Sequence, residues 1–308
     1  MKVAIIGSGS MGSIYGGVLA ENGNEVYLID VYQEHVDKIN QEGLRIHKKD
    51  GERVIKNIKA TSDPETVGKV ELAIVFVKST ITDLALESNK AVLDENTIIL
   101  TLQNGLGNVE KIASVVDRSQ VIAGTTTHGA NLLGPGVVDH AAIGMTTIGE
   151  LDGTMTDRIK ELGKVLDVTE LGPLAISDNV MGLIWDKLMA NVGLNPVTAL
   201  TGLRNGYILD HTETMAILES LVSEAALVAE AEGITLGYKD PVQHCKDVAE
   251  GTRENISSML ADINNKRRTE ITNLNGAISR LGKQHGIATP VNDTITNLIQ
   301  MKEKLYQK

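Results

Sequence analysis

The first half of the chain alternates short apolar runs with segments whose apolar positions recur every three to four residues. Candidate strands fall at 2–6, 25–30, 72–77, 97–102 and 121–126. Their nearly unbroken Val/Ile character suits strands covered on both faces. Helical spacing fills the intervals, as at 11–22 and 82–93. This is the rhythm of βαβ units and a parallel sheet. Gly134-Pro135-Gly136 interrupts it, after which 137–148 reads as shorter antiparallel strands and 156–166 as a closing helix.

From Ser177 onward the strand signals fade. Ser177 or Asp178 is placed to cap a helix that runs to Asn195 and stops before Pro196, whose ring disfavours helical backbone. A second long helix spans 212–232, with Gly233 where a C′ glycine belongs. Further helices are expected at 242–250, 256–263, 269–285 and 291–306. The expected organisation is a Rossmann-like α/β dinucleotide-binding domain over 1–175 and an all-helical substrate domain over 176–308.

Composition narrows the function classes. The 308 residues are 42% hydrophobic, enough for two cores and too apolar for a disordered chain. The 29 Lys+Arg against 40 Asp+Glu give a net charge of −11. That balance disfavours nucleic acid and anionic membrane surfaces, yet leaves room for an anionic small molecule beside one or two local cations. The single cysteine, Cys245, excludes an internal disulfide and a C-x-x-C site. No run approaches the ~18 apolar residues of a membrane helix, and glycines stand where a signal peptide would carry its apolar stretch. A cytoplasmic protein is expected, without a metal, since the seven histidines lack ligand spacing. The apolar helix around 218–228 suits a homodimer surface or the core equally.

Gly7-Ser8-Gly9-Ser10-Met11-Gly12 follows the first strand and opens the first helix. In a dinucleotide fold Gly7 makes the tight turn, Gly9 admits a pyrophosphate and Gly12 lets helix and strand pack closely. Asp30 lies 18 residues after Gly12 (30 − 12), where an acid binds ribose hydroxyls, although it could simply cap the next helix. No Arg or Lys occurs from Val31 to Asp37, so local chemistry favours NAD(H) over NADP(H).

Lys187, Asn191 and Asn195 recur at i, i+4, i+8 and share one helix face. One cation and two carboxamides on a stripe can hold a polar anion, though spacing alone favours a plain solvated face. Ser257-Ser258 precedes a helix and could bind a carboxylate or cap. Glu270, near a helix start, is by default a surface acid. Lys78 and Gln103-Asn104-Gly105 end buried strands, where open α/β sheets bind ligands.

Together Val77-Lys78, Thr101-Leu102-Gln103-Asn104-Gly105, Gly124-Thr125-Thr126-Thr127-His128, the run from Trp185 to Pro196, and Ser257–Ile263 with Arg267–Ile271 resemble the ketopantoate reductase (2-dehydropantoate 2-reductase) family. They keep the family's order and span residues 3 to 276. The resemblance implies a Rossmann domain joined to a helical domain like that of 6-phosphogluconate dehydrogenases. It also implies reduction of ketopantoate to D-pantoate on the route to pantothenate and coenzyme A. By resemblance Lys187 is the general acid and Glu270 its partner. Asn104, Asn191, Asn195, Asn205 and Ser258 would hold substrate with Lys187, and Lys78, Asn104, Ala130 and Glu270 would touch the cofactor. The family pattern has an arginine just after the second strand; Ile29-Asp30-Val31-Tyr32 stands there instead. Family membership therefore implies NADP(H), while Asp30 predicts unusually good use of NADH. The competing expectations are a relative acting on another 2-keto or 3-hydroxy acid, and a dinucleotide sensor without catalysis. Retention of both Lys187 and Glu270 argues against the sensor.

Overall fold

The protein is described by a computed structural model that covers residues 1–49 and 51–306. It divides into two compact units, residues 1–103 with 108–180 and residues 104–107 with 181–308. The four-residue loop 104–107 therefore packs with the helical half, although it follows a strand of the α/β half.

In the first unit the strands are β1 (Lys2–Ile6), β2 (Glu25–Ile29), β3 (Leu44–Lys48), β4 (Gly51–Ile55), β5 (Lys59–Thr61), β6 (Leu72–Val75), β7 (Ile98–Thr101), β8 (Val121–Thr126), β9 (Gly129–Gly134), β10 (Val137–Ala142), β11 (Thr146–Glu150) and β12 (Leu174–Ile176). The helices among them are α1 (Ser10–Glu21), α2 (Gln33–Glu42), α3 (Thr82–Ser88), α4 (Asn108–Ala113) and α5 (Asp157–Leu166). Among the described residues, eight strands form a sheet in the order β12-β11-β8-β7-β6-β1-β2-β5. β11 runs antiparallel to β8 and the other neighbours are parallel. β1 lies between β2 and β6, so the strand order reverses at the carboxyl end of β1, where α/β sheets bind ligands. Val3, Ala4 and Ile5 are fully buried, as a strand covered on both faces requires.

A second sheet, β4-β3-β10-β9, was not expected from the sequence. The expected antiparallel strands of 137–148 divide between the two sheets. β10 pairs antiparallel with β9 and parallel with β3, whereas β11 joins the large sheet. Helix α1 fits beside both sheets because its contact face carries glycines. A Cβ on Gly16 would lie 2.5 Å from Leu28 Cδ2, and one on Gly17 would lie 2.7 Å from Ile55 Cδ1.

The second unit holds α6 (Val180–Thr201), α7 (Thr212–Ala231), α8 (Pro241–Gly251), α9 (Ser258–Asn264), α10 (Asn275–His285) and α11 (Pro290–Lys304). Leu188, Met189 and Val192 of α6 pack with Leu218, Leu221, Val222 and Ala225 of α7, so that apolar face is consumed by the unit's own core. Gly233 takes φ 70° and α7 closes with Ile234 N–H donating to the Ala229 carbonyl at 3.0 Å. Cys245 is fully buried and burial pushes its thiol up to about 12, which leaves it a packing residue. Among the described residues no helix is long and apolar enough to cross a membrane.

Three helices depart from expectation. The one expected over 82–93 ends at Ser88 and gives way to a 3-10 turn, Lys90–Val92. The segment expected as one helix over 269–285 opens with a 3-10 turn, Ile271–Asn273, and becomes helical only at Asn275. More telling, α6 does not stop before Pro196 but continues to Thr201. Proline removes the N–H that would bond the Val192 carbonyl, and an unmet buried carbonyl costs about 1–3 kcal/mol. Here Asn275 Nδ2 donates to that carbonyl at 3.1 Å, so the helix survives its proline.

The Cβ of an alanine at position 12 would sit 2.1 Å from the Gly7 carbonyl oxygen, forcing β1 and α1 apart. Overpacking of this kind costs about 1–3 kcal/mol, or a Tm loss of about 3–10 °C at this unit size. Gly9→Ala is the control, because its Cβ meets nothing within 4 Å. Thermal denaturation without ligand should show Gly12→Ala melting clearly below Gly9→Ala; equal melting temperatures would contradict the packing account.

Candidate active site

The glycine-rich turn joins β1 to α1. Gly7 adopts φ 91°, a value side chains resist, and a Cβ there would lie 2.7 Å from Val77 Cγ1. Gly9 is exposed, and open space lies where its Cβ would project. α1 begins at Ser10 with no side-chain cap and no acidic residue in its first turn, so its positive end stays unneutralised. Met11 is half-buried behind it. These features fit the pyrophosphate of a dinucleotide. The Ser8 backbone N–H donates to Asp30 Oδ2 at 2.7 Å, and the Ser8 hydroxyl to the same oxygen at 3.3 Å. Tyr32 N–H donates to Asp30 Oδ1 at 3.0 Å, which holds the carboxylate at the end of β2. Beneath the turn, the Ser13 hydroxyl donates to the Ser8 carbonyl at 2.7 Å and lies 3.3 Å from His35 Nε2. Lys78 is exposed just past β6, and Ala130 lies in β9. Gln103 Nε2 bridges the Val77 carbonyl at 2.6 Å and the Thr82 hydroxyl at 2.9 Å, pinning the two strand ends to each other.

The second unit gathers the remaining candidates. Lys187 retains partial solvent access, yet its surroundings are dense, and desolvation pulls its pKa down from 10.5 to about 8. The nearby Glu270 carboxylate acts in the opposite direction, favouring the ammonium. The net displacement is on the order of 3 kcal/mol against the charged form, so desolvation outweighs the pair's attraction. At pH 7 about nine in ten molecules still carry the ammonium. Glu270 is only 9% exposed, far from the surface acid expected by default. The turn that carries it is braced from α11. Glu303, itself buried, accepts from Thr269 N–H at 2.7 Å and from the Thr269 hydroxyl at 2.6 Å.

On the same stripe Asn195 is 5% exposed and Asn191 half-buried, so this is not a plain solvated face. Ser257, not Ser258, caps α9, accepting from Leu260 N–H at 3.1 Å; Ser258 is exposed. Asn205 donates through Nδ2 to the Thr252 hydroxyl at 3.0 Å, while its buried Oδ1 meets no donor among the described residues. Asn104 belongs with this group because its loop is locked to the turn after Glu270. Leu106 N–H donates to the Asn273 carbonyl at 2.9 Å, and Asn273 Nδ2 returns a bond to the Leu106 carbonyl at 3.0 Å. Gly105 at φ 79° makes that approach possible.

The structure thus gathers Asn104, Lys187, Asn191, Asn195, Asn205, Ser258 and Glu270 in the helical unit. The glycine turn, Asp30, Lys78 and Ala130 lie in the other. Sequence reasoning passed over Thr269, Asn273, Asn275 and Glu303, which touch backbone rather than display chemistry. One signal was available: a helix that runs through a proline leaves a carbonyl open to another donor.

The family model for ketopantoate reductase PanE/ApbA matches residues 3–153, and that for its C-terminal part matches 179–303. The 2-dehydropantoate 2-reductase of Halobacterium salinarum is 35% identical over 99% of both chains. The PanE/ApbA family ketopantoate reductase of Ralstonia eutropha superimposes with TM-score 0.91 at 33% identity over all of both chains. A D-mandelate dehydrogenase solved with NADH and anilino(oxo)acetate superimposes with TM-score 0.92 at 32% identity, again over all of both chains.

Titration of ε-13C-labelled lysines by NMR tests the electrostatics directly. Lys187 should titrate near pH 8, and Glu270→Gln should move it lower still, since the carboxylate is what supports the ammonium. A Lys187 midpoint at the ordinary lysine value, or one indifferent to Glu270→Gln, would contradict this description.

Proposed function

Because the chain belongs to the ketopantoate reductase (PanE/ApbA) family, we propose that it reduces 2-dehydropantoate to D-pantoate with a nicotinamide dinucleotide, on the route to pantothenate and coenzyme A. The observation that carries the proposal is the desolvated Lys187 ammonium beside Glu270, on one helix stripe with two asparagines. A bound reduced dinucleotide supplies the hydride that the ketone carbon accepts. As charge grows on the ketone oxygen, Lys187 stabilises it and delivers a proton from Nζ. Glu270 keeps the lysine charged and accepts from a substrate hydroxyl. Asn104, Asn191 and Asn195 orient substrate without altering charge. Ser258, exposed at the start of α9, donates to the substrate carboxylate, and the unmet Oδ1 of Asn205 accepts from a hydroxyl. Gly7 to Gly12 seat the pyrophosphate, and Lys78 and Ala130 complete the cofactor's surroundings. The activity is proposed as cytoplasmic.

For the cofactor we propose that NADH serves at least as well as NADPH. The Asp30 carboxylate, fixed by Ser8 and Tyr32, suits ribose hydroxyls and would repel a 2′-phosphate. Glu34 and Asp37 follow it, and the first cation is Lys38. The same feature, with the likeness to an NADH-bound D-mandelate dehydrogenase, favours a second reading in which another 2-keto acid is the substrate.

Initial rates with 2-dehydropantoate and with phenylglyoxylate, the ketone of mandelate, separate the readings when each is run with NADH and NADPH. The proposal predicts turnover of 2-dehydropantoate with kcat/KM for NADH no lower than for NADPH. Lys187→Ala should then lose roughly 10²–10⁴-fold in kcat with NADH affinity unchanged. Turnover of phenylglyoxylate alone would select the second reading, and no turnover of either would reject the activity.

A further inference from the structure

Position 196 is the weak point of α6. Proline brings no N–H, so the Val192 carbonyl, fully buried and four residues back, loses its i+4 helical donor. The deleted bond lies in the turn that separates Asn191 from Asn195. A relay of three residues from other helices ends there. Asn275, at the start of α10 and fully buried, donates through Nδ2 to the Val192 carbonyl at 3.1 Å and to Asn292 Oδ1 at 3.0 Å. Asn292, also fully buried, donates through Nδ2 to Glu224 Oε2 at 2.7 Å and to the Leu221 carbonyl at 3.1 Å. The Glu224 carboxylate further accepts the backbone N–H groups of Val291 and Asn292, both at 2.9 Å.

The chain of donors has one sense. A carboxylate can only accept, so Asn292 must present its Nδ2 to Glu224 and its Oδ1 to Asn275. Asn275 must then turn its Nδ2 towards both Asn292 and Val192, because the flipped amide would set an oxygen against two oxygens. Its Oδ1 is left buried without a donor among the described residues, an unfavourable placement accepted for the sake of the other end.

We infer that Asn275, oriented through Asn292 by Glu224, is a positioning residue for the 2-keto acid: it replaces the hydrogen bond deleted by Pro196 and fixes the turn of α6 that sets Asn191 against Asn195. The inference rests on the proposed role of those two asparagines in holding substrate. A displacement of about 1 Å in such groups can cost up to about 10²-fold in kcat/KM.

The test is a double-mutant cycle of Asn275→Leu, which keeps volume while removing the donors, with Pro196→Ala, which returns the helical N–H. Asn275→Leu should raise KM for the 2-keto acid at least tenfold, change kcat less than threefold, and leave the dissociation constant of NADH within twofold. Pro196→Ala should then rescue it, with KM in the double variant within threefold of Pro196→Ala alone. A KM within twofold of the parent for Asn275→Leu, or an undiminished defect in the double variant, would overturn the inference. Thermal denaturation of the same four proteins reads the replaced bond without any turnover. Pro196→Ala should recover part of the Tm lost in Asn275→Leu, and strict additivity would again overturn it. Wild-type protein inactive on every 2-keto acid tried would instead fault the proposed activity, with the thermal cycle still deciding the hydrogen bond. If Asn275→Leu does not fold, folding of the double variant supports the inference, and its failure to fold contradicts it.

Discussion

Everything assigned to the helical unit turns on one ammonium removed from water. Burial pulls the Lys187 pKa down, and the Glu270 carboxylate opposes the fall, which ends at about 8. For the general acid proposed here, such a value lies close to neutral pH, where proton transfer is most effective. The same arrangement explains why the site needs a rigid frame. A carboxylate that drifted away would let desolvation pull the Lys187 pKa further down.

The frame is built from hydrogen bonds to backbone. Glu303 holds Thr269, the neighbour of Glu270, and Asn273 ties the following turn to the Asn104 loop. Asn275 meets the carbonyl that Pro196 leaves open in α6, and Lys302 Nζ donates to the Ala199 carbonyl at 2.8 Å about two turns further on. The helix that carries Lys187, Asn191 and Asn195 is thus fastened at several points along its length by side chains whose own chemistry is silent. In the α/β unit, the Asp30 carboxylate proposed for a ribose also holds Ser8 of the glycine turn.

The parts legible in the sequence are those whose signal is local. β1, β2, β6, β7 and β8 announce themselves as apolar runs, and the glycine turn by its spacing between strand and helix. The sheet of β3 and β4 escaped because only one of its faces is buried: Leu44, Ile46 and Ile55 point inward while Arg45, His47, Lys48, Glu52 and Arg53 dominate the composition. The end of α6 was misplaced because a proline is a stop signal only when nothing distant meets the orphaned carbonyl, and Asn275 is 83 residues away. For the site, the i, i+4, i+8 spacing located the stripe, but the desolvation of Lys187 and the burial of Glu270 are properties of tertiary packing that no spacing encodes.

The central claim is that Lys187 acts as its ammonium with a pKa near 8, and the pH dependence of kcat/KM addresses it most directly. Below about pH 8 the rate constant should be level, and above it should fall tenfold per pH unit as the lysine loses its proton. In Glu270→Gln the break should move to lower pH, because the charge that supports the ammonium is gone. A profile that stays level through pH 9.5, or a break that Glu270→Gln leaves in place, would contradict the account.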